Sequence, residues 1–185
     1  MADKIRYGLS NLYYAVATDN GSGVLTYGTP VELKGAVSLN LEQQGEQSIF
    51  YADNIEYFVS NSNNGYQGTL EVALLPEAFR TSVLGEVADT NGVVVEKADQ
   101  VSKEFALLFQ FEGDEHAIKH CLYRCKASRP AVNGSTKEAN VDPQTETVNI
   151  TAVPRISDHV VKARCLSTST AAYSAWYTAV YTVSM

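Results

Sequence analysis

Apolar and polar residues alternate with a period of two along most of this chain, and that rhythm leaves few folds open. Successive side chains of a strand point to opposite faces, so each alternating run predicts a strand with one face turned to a core. Val37, Leu39 and Leu41 alternate with Ser38, Asn40 and Glu42. Gly68, Leu70, Val72 and Leu74 alternate with Gln67, Thr69, Glu71 and Ala73. Phe105, Leu107, Phe109 and Phe111 share a face, and a turn at Gly113-Asp114-Glu115 leads into Ile118–Ala127. There Cys121, Tyr123, Cys125 and Ala127 are expected to oppose His120, Leu122, Arg124 and Lys126, which makes these two segments the clearest hairpin. Thr145–Ala152 sets Val148, Ile150 and Ala152 against Thr147, Asn149 and Thr151; Val160–Cys165 and Trp176–Val183 read as further strands. About seven strands in a chain of one-domain length imply a sandwich or barrel.

Helix is scarce. Pro76–Gly85 is the best candidate, with Pro suited to a first helical position, Glu77 complementing the positive helix end and Gly85 able to end it in a left-handed conformation. Phe79 and Val83, four apart, would pin it to the sheet. A shorter turn is expected to start near Thr170 and run through Trp176. Residues 1–30 read as an N-terminal arm and first strand.

One stretch breaks the rhythm. Between Gln43 and Asn64, polar ends enclose Ile49, Phe50, Tyr51, Ile55, Tyr57, Phe58 and Val59. A long segment this aromatic is not disordered, so it is either a hairpin over the core or an excursion that buries its rings against another chain. The second reading makes Phe50, Tyr51, Tyr57 and Phe58 the candidate anchors.

Charge narrows the partners. The chain carries 14 basic and 21 acidic residues, a net charge of −7, which repels phosphates and argues against a nucleic-acid reader. The charged fraction is only 19% while Tyr contributes 11 residues, a balance that suits a surface covered by something else. No apolar run is long enough to span a bilayer, and Met1–Gly8 has no apolar signal-peptide core. Three cysteines fit a reducing compartment, where the sequons at Asn20, Asn133 and Asn149 carry no meaning.

Sites of chemistry are sparse. His116, His120, Cys121, Cys125 and Cys165 invite a zinc reading, but four residues of strand span roughly 13 Å, too far for one metal to bridge ligands at about 2 Å. The same span excludes a Cys121–Cys125 disulfide. Buried thiols and a sheet-surface histidine are the expectation, with no metal, cofactor or catalytic residue assigned. The nucleophile elbow, phosphate loop, dinucleotide fingerprint and calcium loop patterns do not occur.

An ordered set of segments carries a family resemblance. It runs through Asn11-Leu12-Tyr13-Tyr14-Ala15, Tyr27-Gly28-Thr29-Pro30, Gly35-Ala36-Val37-Ser38-Leu39, Phe50-Tyr51-Ala52-Asp53 and Asn63-Asn64-Gly65-Tyr66-Gln67-Gly68. It continues with Leu84-Gly85-Glu86, Lys103–Phe109, Ala127-Ser128-Arg129-Pro130 and Pro143–Thr147. In these the chain resembles the phage major tail protein, the tail-tube subunit of long-tailed, non-contractile phages and prophages of Gram-positive bacteria. The resemblance implies a mainly β fold, a tail-tube-type β-sandwich or partial barrel with one short flanking α-helix, without an appended immunoglobulin-like domain. It implies a structural virion protein, assembled in the host cytoplasm into stacked hexameric rings that form the tail tube. Its partners would be further copies of itself, a tape-measure protein and tail-terminator or tail-tip proteins, and DNA would pass through without specific binding.

Within that frame Phe50, Tyr51, Tyr57 and Phe58 become the expected ring-to-ring contact, and Glu42 and Glu71, on the faces opposite the core, the expected lumen residues. The competing readings are a tube-like secretion protein of a phage-derived system and a monomeric carbohydrate-binding β-sandwich that stacks sugars on exposed tyrosines.

Overall fold

The computed structural model describes residues 4–136 and 143–183. In chain order the strands are β1 Lys4–Asp19, β2 Leu25–Tyr27, β3 Val31–Glu32, β4 Ala36–Gln44, β5 Gln47–Ala52, β6 Ile55–Asn61 and β7 Gly65–Val72. After helix α1, Glu77–Phe79, come β8 Val87–Ala88, β9 Val94–Val95, β10 Phe105–Asp114, β11 Lys119–Ala127, β12 Glu146–Ala152, β13 Lys162–Cys165 and helix α2 Thr170–Ala175. Nine strands form one antiparallel sheet in the order β2-β1-β10-β11-β12-β7-β4, with β13 paired to β11 and β3 to β1. The result is mainly β and sandwich-like, with no closed barrel among the described residues.

The front face of the sheet holds the larger core. Leu70, Val72, Phe105, Leu107, Leu122, Cys125, Val148 and Ile150 are fully buried there, with Leu12 and Tyr14 from β1. The segment after β7 covers them: α1 continues as a π-helical turn over Arg80–Leu84 and ends at Gly85 with φ of 85°. Phe79 and Val83 face inward as their spacing predicts, and Phe79 meets the Tyr14 and Phe105 rings edge-on. Pro76 stands one place earlier than expected, at the helix N-cap in extended conformation. Glu146 ties this cover down by accepting from the Leu75 N–H at 2.6 Å and from Arg80 at 2.7 Å.

The back face changes character half-way across. Behind β1, β10 and β11 it is apolar: Ala15, Ala106, Leu108, Cys121, Tyr123 and Cys165 pack against Trp176 and Val180. The central strands are thus buried on both sides, which is why Phe105-Ala106-Leu107-Leu108-Phe109 reads as an unbroken apolar run. Trp176–Val183 is therefore not a strand but turns and irregular chain following α2. Its two buried residues, Trp176 and Val180, are four apart, and Tyr123 Oη holds it by donating to the Tyr181 carbonyl at 3.0 Å.

Two bulges alter the expected faces. In β11 the register slips by one between the Phe105–Cys125 and Leu107–Leu122 pairs, so Tyr123 and Arg124 together oppose Ala106. Cys125 and Leu122 then lie on the front and Cys121 and Tyr123 on the back, correcting the single face expected for Cys121, Tyr123 and Cys125. A slip between Ala36 and Ser38 leaves Val37 exposed, unlike Leu39 and Leu41. Leu74, beyond the end of β7, is exposed as well.

Candidate assembly surfaces

The segment that broke the alternation is a second hairpin grown from the end of the first. Strands β4 and β7 pair from Ala36–Val72 to Gln44–Gly65. The ladder continues through the Asn64 N–H to the Gln44 carbonyl and the Ser62 N–H to the Glu46 carbonyl, then into β5–β6. Asp53 and Asn54, both left-handed with φ of 53° and 62°, close the two-residue turn at its tip, as a tight hairpin turn requires. This hairpin makes no ladder bonds to the main sheet and does not lie over the core. Phe50 and Phe58 form a cross-strand pair, each 61% exposed, and Ile49 pairs with Val59 on the opposite face. Tyr51 and Tyr57 are exposed too, and the Tyr51 hydroxyl donates to Glu56 at 3.2 Å. Both faces are thus apolar and open, a state that an isolated two-stranded ribbon sustains poorly in water.

The second surface is the polar half of the back face. Cross-strand pairing sets Ser38 beside Glu71 and Thr147, Asn40 beside Thr69 and Asn149, and Glu42 beside Gln67 and Thr151. Glu42 and Glu71, on different strands, therefore belong to one polar field; the alternation placed each opposite the core, and the β4–β7 pairing brings the two strands side by side. Its middle is a shallow concavity lined by Asn40, Glu42, Gln67, Gly68, Thr69 and Asn149. Glu71 accepts from the Thr145 hydroxyl at 2.6 Å and from Ser38 at 2.9 Å, and these bonds hold its carboxyl below the usual range. Gly68 lies at the centre, where an added Cβ would overlap the Asn40 carbonyl oxygen. The outer edge of this field is β4, nine residues long and terminal in the sheet, an edge able to pair with another chain.

Cys121 and Cys165 share the back-face core, but among the described residues the histidines and cysteines form no group able to hold a metal ion. His116 sits in an exposed turn, its N–H bonded to Asp114. Cys121 and Cys125 occupy opposite faces, and burial pushes both thiols up. His120 is only 9% exposed, not on an open sheet surface. Its ring stacks on Phe109 at 5.1 Å, and desolvation, helped by nearby Lys162 and Arg6, lowers its pKa to about 4. Sequence reading missed the enclosure of His120 because Arg6, from β1, and Lys162, from β13, come close to it only in the folded sheet.

Two comparisons bear on these surfaces. A family model described as phage tail tube protein matches residues 2–163, most of the chain. A search of curated proteins found no match.

Proposed function

Since the chain belongs to the phage tail tube protein family, we propose that six copies close into a ring through sheet edges and that rings stack into the hollow tube through which DNA passes. The family is one of structural components of the virion tail and not an enzyme class. The observation that carries the reading is the β5–β6 hairpin, which exposes Phe50, Tyr51, Tyr57 and Phe58 and has no core of its own. Buried aromatic anchors dominate interface energies, so these four are the ring-to-ring contact. The free β4 edge supplies the lateral pairing, and closed pairing removes the aggregation hazard of a long open edge.

The polar field around Glu42 and Glu71 lines the channel in this reading. Each ring carries six times the subunit's −7, and an acidic, hydroxyl-rich wall lets phosphates slide without binding. Assembly takes place in the host cytoplasm around a tape-measure protein, with terminator and tip proteins closing the two ends. Electron microscopy of concentrated purified protein tests the core of this: tubes or rings are expected, and persistent monomers at every concentration contradict it.

A further inference from the structure

Strand directions divide this molecule into two ends. The β5–β6 hairpin leaves from the end where β4 and β10 finish and β7 and β11 begin. At that same end lies a cavity of about 190 Å³. Its apolar walls are Leu39, Leu41, Phe109, Phe111 and Leu122, and Arg6 and Lys162 also line it. Arg6 lies 5.4 Å over the Phe111 ring, and Lys162 donates to the Tyr66 hydroxyl at 3.1 Å. No carboxylate lines the cavity among the described residues, although the chain as a whole is acidic. The His120 ring completes the wall, and its Nε2 has no hydrogen-bond partner among the described residues. An apolar recess with two cations and a buried imidazole nitrogen suits a small, partly apolar, anionic insert.

The opposite end of the same subunit carries such an insert. Strands β8 and β9 form a short hairpin anchored where β10 starts, with the Lys103 N–H bonded to the Val83 carbonyl just behind it. At its root Glu86 pairs with Arg80 at 3.6 Å and Glu96 with Arg129 at 3.0 Å. That leaves Asp89 as the tip's carboxylate without an ion pair among the described residues. Its Oδ1 accepts the Asn91 and Val93 N–H groups at 2.8 Å each, and Oδ2 has one long contact, from the Asn91 side-chain amide at 3.5 Å. Val87 and Val93 flank it, both more than half exposed.

We propose that the cavity is the socket for the β8–β9 tip of a subunit in the adjacent ring, with Asp89 between Arg6 and Lys162 and Val93 against the apolar walls. The proposal rests on the stacking of rings argued above. The β5–β6 hairpin is excluded as the occupant: it leaves from the socket's own end, so end-to-end stacking carries it away from the next copy's socket. Socket and hairpin therefore belong to one end of the ring and the β8–β9 tip to the other. A contact between unlike ends does not close on itself and propagates along an axis.

The test is a charge swap read by electron microscopy and sedimentation. Asp89→Lys alone and the double variant Arg6→Glu/Lys162→Glu alone should each lower tube yield at least tenfold. An equimolar mixture of the two should restore it, because Lys tips meet acidic sockets and unaltered tips meet unaltered sockets in alternate rings. Should a reversed variant fail to fold, Asp89→Asn and Arg6→Gln/Lys162→Gln carry the same test, each with a several-fold loss expected. Normal yield from the single-end variants, or no recovery in the mixture, overturns the socket while leaving stacking intact. Wild-type protein that forms no tubes overturns both.

Discussion

His120 and the two hairpin cysteines show how far single side chains depend on the fold around them. Burial and neighbouring cations hold His120 neutral down to about pH 4, whereas the unfolded chain binds a proton near the ordinary value of 6.5. Between those values the unfolded state takes up more protons, so stability is lost as pH falls through that window, by at most roughly 3 kcal/mol. Thermal melts of wild type and His120→Gln between pH 7 and 4 should therefore converge at the acid end; parallel curves would contradict the assignment. Cys121 and Cys125 act as small apolar groups in two separate cores. Changing either to Ala should cost about 1 kcal/mol and leave assembly intact, with no response to chelators. Stoichiometric zinc in purified protein would overturn this. The alternation in Ile118–Ala127 was readable, but the bulge at Tyr123 and Arg124 was not, because a one-residue slip leaves no mark on composition while it reverses every later face.

Elements with one buried face were legible. β10–β11, buried on both faces, was legible as a hairpin but not in the faces of β11, and β5–β6, with no buried face, was not legible as strands. The β7 and β12 alternation held because a core covers one side of each, Leu70 and Val148 inside and Thr69 and Asn149 outside. β5–β6 has no buried side, so its apolar residues fall on both faces and alternation could not identify the strands. Trp176–Val183 was misread because its buried residues are four apart, a spacing set by packing on the sheet and not by a ladder. The independence of β5–β6 from the core gives the prediction at this scale. Deleting residues 45–62 and joining Gln44 to Asn63 through a tight turn should leave a folded subunit with a melting temperature within a few degrees of wild type. Ring stacking should be lost, and normal tubes from the deletion variant would show that Phe50, Tyr51, Tyr57 and Phe58 are not the contact. Gly68→Ala should do the reverse, damaging the sheet itself through the Asn40 carbonyl, and appear as loss of soluble protein.

At the scale of the whole molecule, a structural tail protein needs surfaces for its own copies, and the subunit offers a projecting hairpin, a free edge and a polar field. Glu42→Lys with Glu71→Lys shifts each subunit by four charges, two at each site, and also removes the acceptor of Ser38 and Thr145. If the field lines a channel, tubes of the variant should retain DNA, with retention weakened by added salt. Unchanged DNA passage through tubes of normal shape would place both residues elsewhere. The most direct measurement is a cryo-electron microscopy reconstruction of tubes assembled from the purified protein. The account predicts six subunits per ring, the Ser38, Asn40, Thr69 and Asn149 field on the inner wall, and the Phe50 and Phe58 rings buried between successive rings. A reconstruction with that field on the outer surface, or with the β5–β6 hairpin exposed to solvent, would contradict it.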